Sequence, residues 1–352
     1  MVESLKCTVC GGDLKFTPML QKWKCEWCDK EHTEEDLAGQ HLDQPVSETV
    51  SREETAEGVV VTYKCSYCGA EVVTAEETSA TFCVYCQRPV ALLAQLSGEF
   101  KPACLIPFKN TKEKAMEQFK NFLKGKRFLP NAYRDNQNIE KLTGVYIPFW
   151  FFDGTVYFDM SGEGDIVTHS RSGDYKITKT DTYGVVRRGQ LGIKNIPVDA
   201  SKKTPDDVMD SIEPFDFSEL RQFATPYLSG FLAERYDVSK EEVFPRARKR
   251  FEGSAEKKLS SSLTKYNRVR RHQDVKRVEN VKAIYGLLPV WLLYSRFSDK
   301  NYLFAMNGQT DKILGNLPMD RGKMVRFAAL VFGVSGFVCA ALAVLGKLAN
   351  IF

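Results

Sequence analysis

Histidine is scarce in this chain, at four of 352 residues, and His32, His41, His169 and His272 stand apart without the spacing of a metal site or a catalytic triad. A Walker A loop, a Gly-x-Gly-x-x-Gly turn and a serine nucleophile elbow are also missing. The acids of DGTVYFDMSGEGD (Asp153, Asp159, Glu163, Asp165) read as turn residues at hairpin ends, not as a general acid–base pair. These absences exclude the common signatures of nucleotide-dependent and acyl-transfer enzymes and point to a binding protein, not an enzyme. The first ten residues, MVESLKCTVC, lack the apolar core of an export signal, so the cysteines are expected to stay reduced.

Cysteine, by contrast, is organised. Eight of the ten cysteines form four Cys-x-x-Cys pairs, leaving Cys104 and Cys339 alone. Cys7, Cys10, Cys25 and Cys28 make one set, and Cys65, Cys68, Cys83 and Cys86 repeat it with the same fourteen residues between pairs. Two thiolates from one tight turn and two from another, brought together by a hairpin, make a tetrahedral site. Gly11, Gly69 and Asp29 follow their pairs where a backbone wrapping a metal favours a left-handed residue, and Gln87 suits that place less well. The pattern predicts two zinc ribbons, each taking much of its folding energy from the metal; four thiolates also fit tetrahedral iron. With all four positions filled by sulfur, the two zinc ions would be structural.

Charge is divided along the chain. Residues 1–100 carry 17 acidic and 8 basic side chains, and residues 101–352 carry 28 and 41. Two zinc–tetrathiolate centres would take the first part to about −13. Phosphate binding needs basic side chains, so the expected partner of the ribbons is a protein and not nucleic acid. Trp23, Trp27, Tyr67 and Tyr85 are expected to cover the small ribbon cores.

The pattern predicts an α+β chain: ribbon 1 over 1–38, an acidic flexible linker over 39–58, ribbon 2 over 59–96, a β-rich antiparallel domain with a few helices over 100–320, and a C-terminal transmembrane helix over 327–346. Helices are expected over 111–126 and, broken near Pro226, over 216–236. YIPFWFFDGTVYFDM (146–160) and LLPVWLLYSRFSDKNYLFAM (287–306) echo each other and read as two related hairpins, each entered at a sheet edge by its proline. Asn307-Gly308 suits a tight turn with positive φ at both residues. The stretch 246–277, with 12 basic and 3 acidic residues, reads as a solvated helical face, with anionic lipid or the acidic ribbons as its other uses.

Phe327 to Leu345 is free of charge for 19 residues, about 28 Å of helix. Arg321, Lys323 and Arg326 precede it and Lys347 follows, so the positive-inside rule puts the N-terminal domains in the cytoplasm.

The two ribbons, YIPFWFFD, LPVWLLYSRFSDKNYLFAMNGQTDKILGNLP and the apolar C-terminus together resemble a family of bacterial membrane-associated double zinc-ribbon proteins. Its members carry labels such as transcription-factor-B-type zinc ribbon or replication-restart-helicase-like; no nucleotide-binding loop accompanies the cysteines here. The resemblance implies an association with phage-shock-protein-A-like and flotillin-like membrane proteins, and a part in membrane organisation or envelope stress. The expectation is thus a membrane-anchored adaptor with ribbons that recruit a partner. The alternative is a nucleic-acid-associated ribbon factor held at the membrane.

Overall fold

A computed structural model describes residues 6–37, 51–55, 58–64, 71–75, 78–82, 89–91, 98–131, 133, 141–297 and 300–349. In the first ribbon, strands β1 (Leu14–Thr17), β2 (Lys22–Cys25) and β3 (Glu31–His32) form an antiparallel sheet followed by the short helix α1 (Glu34–Leu37). Leu14, Phe16, Trp23 and Cys25 alternate inward along β1 and β2, while the lysines between them face out. A second three-stranded sheet joins β4 (Ser51–Thr55), β5 (Gly58–Lys64) and β6 (Glu71–Ala75). The expected flexible linker therefore ends in a strand: Ser51 to Thr55 pair in register with Thr62 to Gly58. Among the described residues this strand pairs on one side only, with β5, where Val61 is buried. Strands β7 (Thr78–Phe82) and β8 (Pro89–Ala91) pair with each other. β6 and β7 were expected to form one ribbon hairpin, but β6 pairs with β5, and β7 joins the larger sheet.

That larger sheet is antiparallel for most of its length and belongs to the middle domain. In chain order the domain contains β9 (Cys104–Leu105), α2 (Lys112–Lys124), β10 (Thr143–Ser172), β11 (Tyr175–Asp199), α3 (Asp206–Ser211), β12 (Arg221–Gln222), β13 (Leu232–Glu234), α4 (Lys240–Ser261), β14 (Arg268–Phe297), β15 (Lys300–Asn307) and β16 (Ile313–Gly315). The helix α5 (Arg321–Ala349) ends the described chain. α2 forms where its period predicts: Thr111 caps it, and Ala115, Phe119 and Leu123 bury one face. α4 opens with a full capping box, Ser239 with Glu242, and buries Val243, Ala247, Phe251, Ala255 and Leu259 at every fourth position.

The echo between 146–160 and 287–306 extends into a structural duplication. β10 and β14 pair antiparallel, with Tyr146 opposite Pro289 and Pro148 opposite Leu287. β9 runs parallel to β14 and β13 runs parallel to β10. Each of these short strands leads to a helix capped by a hydroxyl residue, and each helix packs on the other half. Phe119 of α2 meets Phe304 of β15 at 4.8 Å, and Phe244 of α4 meets Phe152 of β10 at 5.9 Å. The hydrogen bonds match as well. Trp291 Nε1 donates to Asn110 Oδ1 at 2.9 Å, and Trp150 Nε1 to the Val238 carbonyl at 3.0 Å, just before each helix cap. Ala200 N donates to Pro148 O, as Gly308 N does to Pro289 O; Asp237 N then donates to Ala200 O, as Lys109 N does to Gly308 O. Two β-α-β-β units are thus related by an approximate two-fold axis, each laying its first strand and helix across the other's hairpin.

This arrangement corrects the reading of the prolines. Pro148 and Pro289 stand in inner strands, not at edges. On β10 the neighbour changes from β13 at Tyr146 to β11 at Phe149, and on β14 from β9 at Leu287 to β15 at Val290. Each proline sits at the handover between two neighbours, where the ladder on that side is interrupted.

Three further expectations differ. Residues 146–160 lie on one continuous strand of 30 residues, about 100 Å long, which pairs with β11 through the two-residue turn Gly173–Asp174, with Gly173 at φ +59°. Asp153-Gly154, which resembles a turn, is a bulge: Asp153 Oδ1 accepts from Asn195 N, and a Cβ on Gly154 would lie 3.0 Å from the Phe251 ring. The helix expected over 216–236 is replaced by 3-10 turns at Phe217–Glu219 and Thr225–Leu228 and by strands β12 and β13. Gln309 holds both the N–H and the carbonyl of Asp216, and the sheet engages the backbone groups on either side. Asn307 and Gly308 do begin a turn, but neither has positive φ; Asp311 does, at +62°. Asn307 is buried, accepts from Gln309 N and Thr310 N, and donates to the carbonyls of Ile212 and Pro214.

The basic stretch 246–277 is divided between the end of α4 and the start of β14. Many of its charges are already paired. Arg246 meets Asp199, Asp206 and Asp210; Arg250 meets Glu213; Arg270 meets Glu163 and Asp165; Arg271 and Lys276 both meet Glu256 and Asp274. The acids of 153–165, taken from sequence as turn residues, include two of these partners.

Candidate metal centre

Two matched turns build the site. Gly11 N donates to Cys7 O at 2.9 Å and Asp29 N to Cys25 O at 3.1 Å, so each Cys-x-x-Cys closes a tight knuckle. Gly11 (φ +72°) and Asp29 (φ +56°) take the left-handed conformation that the sequence assigned to them. The β1–β2 ladder places Leu14 opposite Cys25 and so carries the second knuckle to the first. All four sulfurs, of Cys7, Cys10, Cys25 and Cys28, lie within 4.8 Å of one another. Cys10 and Cys25 are 3.4 Å apart, and Cys7 and Cys28 3.6 Å. A tetrahedron with zinc–sulfur bonds of about 2.3 Å has edges of about 3.8 Å, and these separations are of the size that one such ion needs.

The electrostatics favour a cation. Burial raises the Cys7 thiol, but hydrogen bonds from the backbone of Cys10 and Val9, and from His32 and Cys28, outweigh it and bring it down to about 6. At Cys10 the backbone bond at Gly12 lowers the thiol, yet its sulfur neighbours Cys25 and Cys28 push it up to about 12. Cys25 is lowered and Cys28 raised. Thiols this close oppose one another's ionisation, and a divalent cation among them would favour all four as thiolates.

By spacing, His32 is one of four scattered histidines. It is 2% exposed, and its Nε2 lies 3.2 Å from Cys7 Sγ. The pairing of β2 with β3 sets Trp23 opposite His32 and turns the imidazole toward the sulfurs. With Cys7 as a thiolate and the proton on Nε2, the ring would donate to that sulfur and steady it as a metal ligand. The Cys28-x-x-x-His32 spacing is the sequence signal that could have marked it. His41 lies outside the described residues, and His169 and His272 are on the middle domain. Cys65, Cys68, Cys83 and Cys86 also lie outside the described residues.

The ribbon is docked on the middle domain. Trp23 Nε1 donates to Pro226 O at 3.0 Å, Ser229 Oγ to Leu14 O at 2.8 Å, and Gln21 Nε2 to Phe108 O at 2.8 Å. Phe16, Trp23 and Tyr227 pack ring to ring with centroids 5.0–5.2 Å apart. Leu14, Phe16, Trp23 and Leu37 therefore share one core with Phe108, Tyr227 and Phe231. The outer ends of the knuckles stay open: Val9 is 67% and Trp27 75% exposed, so of the two tryptophans expected over this core only Trp23 covers it.

Over 337 residues the chain is 34% identical to the protein named Uncharacterized protein YdjG of Bacillus subtilis (strain 168), covering 96% of this chain and 95% of that protein. The chain belongs to the YdjG family. With 337 of 352 residues in the match, the likeness to YdjG runs through the middle domain and is not a similarity of cysteine knuckles alone. No protein-family model matches the chain, and no solved structure matches it.

α5 is long and apolar enough to cross a membrane: Arg321–Leu342 has a mean hydropathy of 2.0, and none of it is buried against the protein. Phe332 and Phe337 stand fully outward on it.

Proposed function

We propose that this protein is a single-pass membrane adaptor, with its N-terminal domains on the cytoplasmic side and its zinc ribbons recruiting a membrane-associated protein. Two structural zinc ions belong to this reading, one on Cys7, Cys10, Cys25 and Cys28 and one on Cys65, Cys68, Cys83 and Cys86. The cytoplasmic placement is supported by Arg321, Lys323 and Arg326 ahead of the apolar span. A phage-shock-protein-A-like or flotillin-like partner, and a part in membrane organisation or envelope stress, are taken from the family resemblance.

The observation that carries recruitment is the pair of exposed apolar side chains, Val9 and Trp27, one inside each knuckle. Trp27 lies against the knuckle backbone so closely that a Cβ on Gly12 would be 2.6 Å from its ring. A large aromatic standing in solvent beside the four cysteines, on an otherwise acidic module, is the kind of anchor that a protein interface uses. Because the ribbon is docked, it offers this face in a fixed orientation and is not a free head on a tether.

The test is recovery of partners from detergent-solubilised membranes with the full chain and with Val9→Ser/Trp27→Ser. The variant is expected to stay in the membrane fraction with its metal intact and to lose about tenfold or more of the recovered partner. Unchanged recovery would remove the anchor from the account. DNA retention by the full chain that falls steeply with salt would favour the nucleic-acid reading instead.

A further inference from the structure

The basic stretch 246–277 draws attention in the sequence, but it is divided between two elements and much of it is ion-paired. A second group of basic residues lies in a more telling place. The segment Lys120–Arg127 (KNFLKGKR) follows the exposed side of α2 and the loop after it, and no acidic residue occurs between Gln118 and Arg134. Lys120, Lys124, Lys126 and Arg127 are all exposed.

This loop is fastened to the start of α5. Asp320 N donates to Phe128 O at 2.8 Å, and Lys323 Nζ donates to Leu129 O and Asn131 Oδ1, both at 2.7 Å. The Phe128 ring meets the Phe327 ring at 5.5 Å, and the Arg127 guanidinium lies 6.0 Å from the same ring. Phe327 is the first residue of the uncharged span. A bilayer that accepts the span from Phe327 onward therefore has its headgroup layer at the level of Arg127 and Phe128. Arg321 and Arg326, both exposed, add charge at the same level. Aromatic rings at the apolar boundary, with long basic side chains reaching out from them, match a layer of phosphates over hydrocarbon.

We propose that the loop after α2 and the first turn of α5 together form a binding site for anionic lipid headgroups. It rests on the reading of α5 as a membrane span. Lipid is favoured over free phosphate as the ligand because the cations are exposed beside the entry of an apolar helix, with the Arg127 guanidinium over the Phe327 ring.

The test reconstitutes the full chain in vesicles that mix phosphatidylcholine and phosphatidylglycerol. Spin-labelled lipids of each kind then report which one lies against the protein. Wild type is expected to favour phosphatidylglycerol. Lys124→Gln/Lys126→Gln/Arg127→Gln is expected to cut that preference about fivefold, while Lys249→Gln/Lys257→Gln/Lys258→Gln on α4, with the same loss of charge, leaves it unchanged. An equal loss in both variants would make the effect one of net charge and overturn the site. Displacement of the labelled lipid by inorganic phosphate, beyond chloride at matched ionic strength, would assign it to free phosphate and overturn the proposal. Flotation of the vesicles separates the two readings: a chain that floats without lipid preference contradicts this site alone, and one that does not float contradicts the span as well.

Discussion

His32 and Asp199 show how much a single residue's neighbours decide. Behind Cys7, the buried imidazole supports one sulfur of the centre, and outer partners of this kind commonly change metal affinity by about 10–100-fold. His32→Phe is expected to weaken zinc by about that factor in chelator competition; unchanged affinity would reduce the contact to packing. Cys7→Ser removes a ligand outright and is expected to lose about one metal ion per chain by elemental analysis. Asp199 lies on the middle domain, buried, 2.9 Å from Arg246. Burial pushes its carboxyl up to about 6, against the opposing pull of Arg246. A carboxyl raised in the folded state binds its proton more tightly there than in the unfolded chain. Its contribution is therefore most favourable below about pH 4 and is lost as pH rises through about 6. Asp199→Asn, the residue type that the other half of the duplication has at Asn307, is expected to flatten that decline in unfolding midpoints measured across the window.

At the scale of elements, the long strands depend on close backbone approaches at particular glycines. A Cβ on Gly162 would lie 2.1 Å from the Arg270 carbonyl, whereas one on Gly192 meets nothing within 4 Å. Gly162→Ala is expected to cost about 1–3 kcal/mol in thermal denaturation, and Gly192→Ala no comparable loss. The elements that sequence revealed are those whose signals are local. α2 shows its period and cap, the first four cysteines their spacing, and α5 its uncharged run. Elements set by distant partners stayed hidden. Asp153-Gly154 has the composition of a turn and becomes a bulge because Phe251, about a hundred residues later, lies over it. Residues 216–236 have helix-like periodicity, but Gln309, β9 and β10 take the backbone groups a helix would use. His32 reaches Cys7 only through the register of β3 on β2, which spacing alone does not convey. Pro148 and Pro289 suggested edges because proline cannot donate, and the handover between neighbours that accommodates them inside a sheet follows from the duplication.

Across the whole molecule, ribbon, middle domain and apolar helix are joined by specific contacts, so effects at one should be felt at the next. Chelation of the metal is expected to raise amide exchange at Thr225–Leu228, where Trp23 and Tyr227 pack, as well as in the ribbon. Deleting residues 327–352 should leave the remainder folded and free of membranes at high salt, where screened attraction of the basic loop no longer holds it. The most direct measurement of the adaptor reading is a photocrosslinker placed at Glu26, exposed beside Trp27 in the second knuckle, of the full chain in living cells. The result expected is a crosslink to one membrane-associated protein, lost when Cys7→Ser disrupts the knuckles. A crosslink to nucleic acid, or a protein crosslink indifferent to Cys7→Ser, would contradict recruitment through the ribbon.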